Sequence, residues 1–268
     1  MGKTKLVGIV NVTPDSFSDG GAYLRPDDAI AAIKRLIEEG ASVIDLGAES
    51  TRPGATPLSS EEEWQRLEPV LRALPWTKNV EYSLDTRHTQ TAKKAQNIQL
   101  AQGAFWMNDV SGLLDPEMGK VVREAGCKVV LMHSLSVPAD KNIILPEGTD
   151  VVKEILAFAN GRIQALEALG VKREQIIFDP GIGFGKSAAQ SWEIIANIKN
   201  FRSLGVPLFI GHSRKSFLSH PHPIIAEAGN PLTRDQQTLV VSQYLAKQGV
   251  EYLRVHDVAA HQRMLAHE

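Results

Sequence analysis

Short apolar runs recur along the chain, and each ends in a polar residue that a strand interior would not choose. Leu6-Val7-Gly8-Ile9-Val10 stops at Asn11, Val43-Ile44 at Asp45, Tyr82-Ser83-Leu84 at Asp85, and Phe105-Trp106-Met107 at Asn108-Asp109. Val129-Val130-Leu131-Met132 stops at His133, Ile176-Ile177-Phe178 at Asp179-Pro180, Leu208-Phe209-Ile210 at Gly211-His212, and Tyr252-Leu253 at Arg254-Val255-His256-Asp257. Between most of these runs the apolar spacing changes to that of a helix. Ala29, Ile33, Leu36 and Ile37 follow Pro26-Asp27 at i, i+4, i+7, i+8, and Gly40 supplies the stop. Helices are likewise predicted from Asp150 to Leu169 before Gly170, from Ser191 to Ile198, and from Asp235 to Lys247. Eight strands alternating with helices predict an α/β fold, a single (β/α)8 TIM barrel. Such barrels build their sites from the C-terminal strand ends, so the polar residues are expected at one mouth. The connections after strands 1 and 2, residues 11–25 and 47–58, are long and rich in turn residues, which suits functional lids.

The 268 residues fit one barrel, which typically takes about 250, so residues 1–268 are read as one domain. Lys and Arg number 29 against 31 Asp and Glu, which offers no basic stripe for nucleic acid and no polybasic membrane anchor. An anionic ligand must therefore be held by local groups. Cys127 is the only cysteine, which excludes an internal disulfide and a cysteine zinc site. The run from Leu6 to Val10 is too short for a signal-peptide core, and no stretch approaches the ~20 apolar residues of a membrane span. A cytoplasmic protein is expected.

Asp85, Asn108 and Asp179 are acceptor-rich groups at three strand ends, with Lys215 after the seventh. As separate residues they read as helix caps and internal ion pairs. Gathered at one mouth, they would satisfy the N–H edge of a flat amino-pyrimidinone heterocycle, because a carboxylate accepts two parallel bonds. Asn11, Thr51, Arg52, Arg254 and His256 form a second set, suited to a polyanion such as pyrophosphate. Asn11 also offers a neutral oxygen to Mg²⁺. The alternative for Arg254 is an ion pair at the barrel bottom. The stretch Asp179 to Ser187 nearly spells a phosphate-binding P-loop, but Pro180 stands where that pattern needs Gly. A tight glycine turn approaching a planar ligand, with Phe184 at its tip, fits better. Met132 and His133 read as the end of a buried strand, Met132 also as a mouth residue, and Cys127 as a small buried hydrophobe. His212, His220 and His222 are expected at the surface, and Trp64, Trp76, Trp106 and Trp192 in packing.

Taken together these motifs resemble the dihydropteroate synthases, in order from Leu6 to Val258. The segments that carry the resemblance are Asn11–Gly21, Glu49–Gly54, Asp85–Arg87, Asn108–Gly112, Asp179–Gly185, Ser213–Phe217 and Arg254–Asp257. The resemblance implies an enzyme that joins p-aminobenzoate to 6-hydroxymethyl-7,8-dihydropterin pyrophosphate, giving 7,8-dihydropteroate and pyrophosphate. It assigns the pterin to Asp85, Asn108, Met132, Asp179 and Lys215, and the pyrophosphate with Mg²⁺ to Asn11, Thr51, Arg52, Arg254 and His256. Phe17, Pro53, Phe184, Lys215 and Ser216 frame the p-aminobenzoate pocket, which sulfonamides also occupy. The catalytic set is Asn11, Asp19, Arg52, Lys215, Arg254 and His256, and a homodimer is implied.

An SN1-like displacement follows, because an aromatic amine is a weak nucleophile and no dedicated base stands beside it. Arg254→Ala is then expected to lower turnover far more than pterin affinity. The rival readings are a pterin-binding methyltransferase domain and an inactive pterin-binding paralogue. The chain departs from the family pattern at Ala48, Leu84, Ser219–Pro231 and, most visibly, Ser134–Asp140 after the fifth strand.

Overall fold

A computed structural model describes residues 4–13, 26–51, 54–99, 105–140, 142–226 and 232–266. Phe17, Asp19, Arg52 and Pro53 lie outside the described residues. The strands are β1 Lys5–Asn11, β2 Val43–Gly47, β3 Glu81–Asp85, β4 Trp106–Asp109, β5 Val129–Met132, β6 Ile176–Asp179, β7 Phe209–Ile210 and β8 Tyr252–Val255. They form one parallel sheet in the order β6-β5-β4-β3-β2-β1-β8-β7. A single parallel bridge, Phe178 to Leu208, with Phe178 N donating to Pro207 O at 2.9 Å, links β6 to the start of β7 and closes the barrel. The expected (β/α)8 barrel is therefore present.

The surrounding helices are α1 Pro26–Glu38, α2 Ser60–Arg72, α3 Thr89–Gln99, α4 Pro116–Ala125, α5 Val151–Ala168, α6 Ala188–Ala196, α7 Pro223–Ala226, α8 Arg234–Lys247 and α9 Val258–Ala266. Local chemistry sets several boundaries. Asp150 caps α5 through Lys153 N, and reciprocal capping boxes start α2 at Ser59/Glu62, α6 at Ser187/Gln190 and α8 at Thr233/Gln236. The box at Ser187 begins α6 three residues before the expected Ser191. After Ala196 the chain tightens into a 3-10 turn, Ile198–Leu204.

Each strand sorts its residues to two faces because its side-chain period is two. Leu6, Ile44, Leu84, Met107, Leu131, Phe178, Ile210 and Leu253 face the helices in the large core. Val7, Val43, Trp106, Val130, Ile177, Phe209 and Tyr252 form a separate buried cluster that plugs the barrel interior. Two residues further along each of these strands lies the next inward layer: Ile9, Asp45, Asn108, Met132, Asp179, Gly211 and Arg254. Asp45 thus lies inside β2, two residues before its end at Gly47, rather than at the strand's end.

Candidate active site

Four of the seven residues in the inward layer above the apolar plug are polar, Asp45, Asn108, Asp179 and Arg254, and they are joined by Asp85 of β3, which pairs in register with Gly47 and Asn108. Arg254 organises it. From β8 its Nε donates to Asp45 Oδ2 at 2.6 Å and its Nη2 to Asp85 Oδ2 at 2.9 Å. Asp45 is fully buried, and the same oxygen accepts from Asn108 Nδ2 at 3.1 Å, so the Asn108 amide directs its donor to Asp45. One arginine and one aspartate therefore fix both Asp85 and Asn108. Burial pushes the Asp85 carboxyl up from its ordinary range, with Asp45 and other carboxylates adding to the rise and Arg254 opposing it.

The two groups of residues distinguished in the sequence meet here: Arg254 and Asp85 form one ion pair. The geometry also rules out the barrel-bottom alternative for Arg254, because its guanidinium lies in the mouth layer. Arg254→Ala would strand the buried Asp45 and the half-buried Asp85, so it is expected to weaken pterin affinity as well as turnover.

Asp179 stands across the mouth at the end of β6. Its Oδ1 accepts from Gly181 N at 2.7 Å, and burial raises its pKa against the pull of Lys215. Gly211 lies between Asp179 and Arg254, where a Cβ would make ordinary contacts, 3.8 Å from Asp179 Oδ2 and 4.0 Å from Arg254 Cδ. Lys215 reaches in from the turn after β7. Its Nζ donates to Ile182 O at 2.6 Å and lies 4.6 Å from the Phe184 ring centroid. Burial brings the Lys215 ammonium down to about 8, with Asp179 pulling the other way. Arg214, one residue before, adopts a left-handed φ of 60°, held by its amide to Thr238 Oγ1 and its guanidinium to Asp235.

The Asp179–Ser187 stretch is a glycine turn, as expected, with Gly181, Gly183 and Gly185 all at positive φ. A Cβ on Gly181 would come within 1.9 Å of His133 O, so only glycine fits. Beneath it Lys186, almost fully buried, donates to His133 O and Phe184 O at 2.9 Å and meets His133 Nδ1 at 2.7 Å. Burial and Lys186 hold His133 down at about 3, so it stays a neutral acceptor.

His256 lies beside the mouth after β8. Ser213 Oγ accepts from His256 N at 3.3 Å and sits 2.8 Å from His256 Nδ1. A serine hydroxyl that donates to Nδ1 requires the tautomer that carries its proton on Nε2. Asn11 is exposed at the end of β1, Ser216 is exposed after Lys215, and Thr51 is half-buried in the loop after β2. That loop is tied down by Glu49, whose carboxylate accepts both Arg87 Nε and Nη2 at 2.8 Å and Leu58 N at 2.9 Å.

Sequence reasoning left Asp45, Lys186 and Ser213 out of the site. Counting in twos from Val43 would have placed Asp45 inside. It also put His212 at the surface, and the structure contradicts this. His212 follows the outward side of β7, fully buried against α8 and α9, 2.8 Å from Ser242 Oγ, which is 2.8 Å from His261 Nε2. His220 is exposed, and His222 stacks on Trp192 at 4.3 Å. Cys127 is buried, as expected.

Residues 7–256 match the family model described as pterin binding enzyme. The chain belongs to this family. Solved structures that it resembles include dihydropteroate synthases. The one from Anaplasma phagocytophilum, with bound 6-hydroxymethylpterin-monophosphate, is 38% identical, with 98% of this chain and 97% of that one covered and a TM-score of 0.85. The Xanthomonas albilineans enzyme with 4-aminobenzoic acid is 38% identical, with coverage of 98% and 91% and a TM-score of 0.83. The folate synthesis bifunctional protein of Chlamydia caviae is 41% identical over 98% of this chain, which spans 58% of that protein's length. Membership of the pterin-binding enzymes accords with a mouth that presents carboxylates and an amide oxygen together.

Proposed function

We propose that this chain catalyses the dihydropteroate synthase reaction, condensing 6-hydroxymethyl-7,8-dihydropterin pyrophosphate with p-aminobenzoate. The observation that carries the reading is the layer of Asp85, Asn108 and Asp179, held by Arg254 and Asp45 on one side and flanked by Lys215 on the other. A pterin is planar, bears several N–H donors on one edge and a carbonyl beside them. Buried carboxylates matched to those donors, with an ammonium for the carbonyl, bind such a ring selectively, because an analogue lacking them would leave the acceptors unpaired.

In this reading the C–O bond to pyrophosphate breaks first, and the bonding pair leaves with the pyrophosphate. The electron-rich dihydropterin delocalises the positive charge left on the exocyclic carbon. The amine of p-aminobenzoate adds its lone pair there and loses a proton. Arg254 supplies positive charge near the departing group, with His256, Arg52 and Thr51 beside it. Closure of the two long loops excludes water from the cation and orients the amine opposite the leaving group. The neutral oxygen of Asn11, exposed at the mouth, suits Mg²⁺, which takes few protein ligands when phosphate oxygens and waters complete its shell. When bound, Mg²⁺ would neutralise pyrophosphate charge. Phe17, Asp19 and Pro53 complete the amine side. A cytoplasmic homodimer is part of the same proposal, which sedimentation and cell fractionation would test.

The deciding experiment mixes the protein with both substrates and Mg²⁺ and follows pyrophosphate and dihydropteroate together. Product that depends on both substrates supports the synthase. Pterin binding without product would move the reading to an inactive paralogue or a methyltransferase domain, and absence of binding would remove the pterin site. Omitting Mg²⁺ and adding chelator is expected to abolish pyrophosphate release.

A further inference from the structure

The backbone register of β7 with β8 ends at Ile210 and Leu253, before the turns that carry Ser213 and His256 to the mouth. Beyond that point side chains tie the two turns together. At the mouth the tie is direct, Ser213 Oγ to His256 Nδ1 at 2.8 Å. A second tie runs behind the barrel wall through α8 and α9. His212 Nε2 lies 2.8 Å from Ser242 Oγ, Ser242 Oγ lies 2.8 Å from His261 Nε2, and His261 Nδ1 lies 2.5 Å from Asp257 O. His212 precedes Ser213 and Asp257 follows His256, so the two ties close into one ring.

The direction of the second tie follows from its ends. A carbonyl only accepts, so His261 carries its proton on Nδ1 and, as a neutral ring, accepts at Nε2. Burial disfavours charge on both imidazoles, holding His212 down at about 3 and lowering His261. The Ser242 hydroxyl then donates to His261 and accepts from His212 Nε2–H. His212 and Ser242 are fully buried, Ser242 beside Val241 and Leu245 on the inner face of α8, and His261 is almost so. Exchanging every partner of a buried hydrogen-bonded set for apolar groups of the same shape is close to neutral for stability. What an apolar trio would not supply is a fixed spacing between the two turns.

We infer that Ser242 is a positioning residue: by joining His212 to His261 it holds the His256 imidazole in place against Ser213 at the mouth. Lys215 has anchors of its own. Its Nζ donates to Ile182 O, its carbonyl accepts from Arg234 Nη1 at 2.8 Å, and Arg214 beside it is held by Thr238 Oγ1 and Asp235. Cutting the ring at Ser242 thus releases His256 and leaves Lys215 tied. The part His256 plays in turnover rests on the proposed function, whereas the placement of its ring does not.

Two cuts test this. Ser242→Ala removes the hydroxyl, and His261→Asn keeps a donor for Asp257 O while removing the acceptor that faces Ser242. The first readout needs no substrate. In nitrogen magnetic-resonance spectra of the full chain with labelled histidines, the His256 ring signals are identified by their loss in His256→Asn. They are expected to move in both cuts, whereas those of His222, stacked on Trp192, stay in place. Unmoved His256 signals in a folded variant would overturn the inference. The second readout is kinetic. kcat/KM should fall about ten-fold in each cut, because a small misplacement made far from the chemistry is amplified there. In the His256→Asn background the same cuts should cost less than about two-fold, since the effect runs through a side chain already removed. Equal losses in the two backgrounds would leave the trio as packing alone and overturn the inference. Wild-type protein that makes no dihydropteroate overturns the functional reading, and the nitrogen spectra then still decide whether Ser242 places His256.

Discussion

At the scale of single residues, the decisive member of the site is one that touches no ligand in the proposed reaction. Asp45 binds Arg254 and Asn108 through one oxygen, and its other oxygen is buried without a partner among the described residues. Asp45→Asn keeps the shape but presents an amide where two donors converge, so Asn108 would turn its amide or Arg254 would shift. The expected result is a fall of about 10²-fold in kcat/KM, or ~3 kcal/mol, with the far-ultraviolet spectrum unchanged. Near-normal kinetics would show that the fork does not position the site. Lys215 makes a second prediction. Its folded pKa is depressed from 10.5 to about 8, so the ammonium is present below that pH and lost above it. In a kcat/KM profile the alkaline limb is expected near pH 8. Lys215→Arg, slower but permanently charged, should move that limb upward; a limb that stays put would belong to another group.

Among the elements, the tie between the second loop, α2 and β3 carries a charge that is costly when ionised. Glu63 of α2 is fully buried, and its Oε2 accepts from Thr86 Oγ1 at 2.7 Å. Burial raises its pKa to about 7. The folded protein keeps that proton up to about pH 7 whereas the unfolded chain releases it near 4.5. Its contribution to stability is thus present in acid and is lost as pH rises from about 5 through 7. Glu63→Gln should remove that slope, giving a gain over wild type of up to ~3 kcal/mol at pH 8 and little at pH 5 in urea titrations. In the glycine turn the prediction is steric. Gly181→Ala should lower the thermal midpoint by several degrees or prevent folding, because the added carbon collides with the His133 carbonyl.

The strands, the alternation and the polar strand ends were legible in the sequence, because local periodicity and turn chemistry govern them. Asp85, Asn108 and Asp179 were visible as acceptors for the same reason. The Arg254–Asp45–Asn108 fork was not, since it joins β8, β2 and β4 across up to 209 positions of chain. His212 misled because its two-residue phase relative to β7 decides burial, and a polar residue after a strand gives no hint of the helices waiting outside. The Ser134–Asp140 segment read only as an irregularity. What it touches depends on where the glycine turn and the second loop come to rest.

Over the whole molecule, charge is nearly balanced, and among the described residues no helix is long and apolar enough to cross a membrane. The barrel itself is uneven. β1 and β2 share five rungs and β2 and β3 another five, whereas β6 meets the β7 side through one bridge. Asp179 sits at the end of β6, and Lys215 follows β7. A heterocycle gripped by both would therefore act as a hoop across the seam that the backbone closes most thinly. Occupancy and cohesion of the barrel then become one equilibrium. Hydrogen exchange at 176–179 and 208–210 should slow more on pterin addition than exchange at 43–47, and uniform slowing would contradict this. The enzyme would be held shut by its own cargo, loosest at the moment it is ready to take the next one.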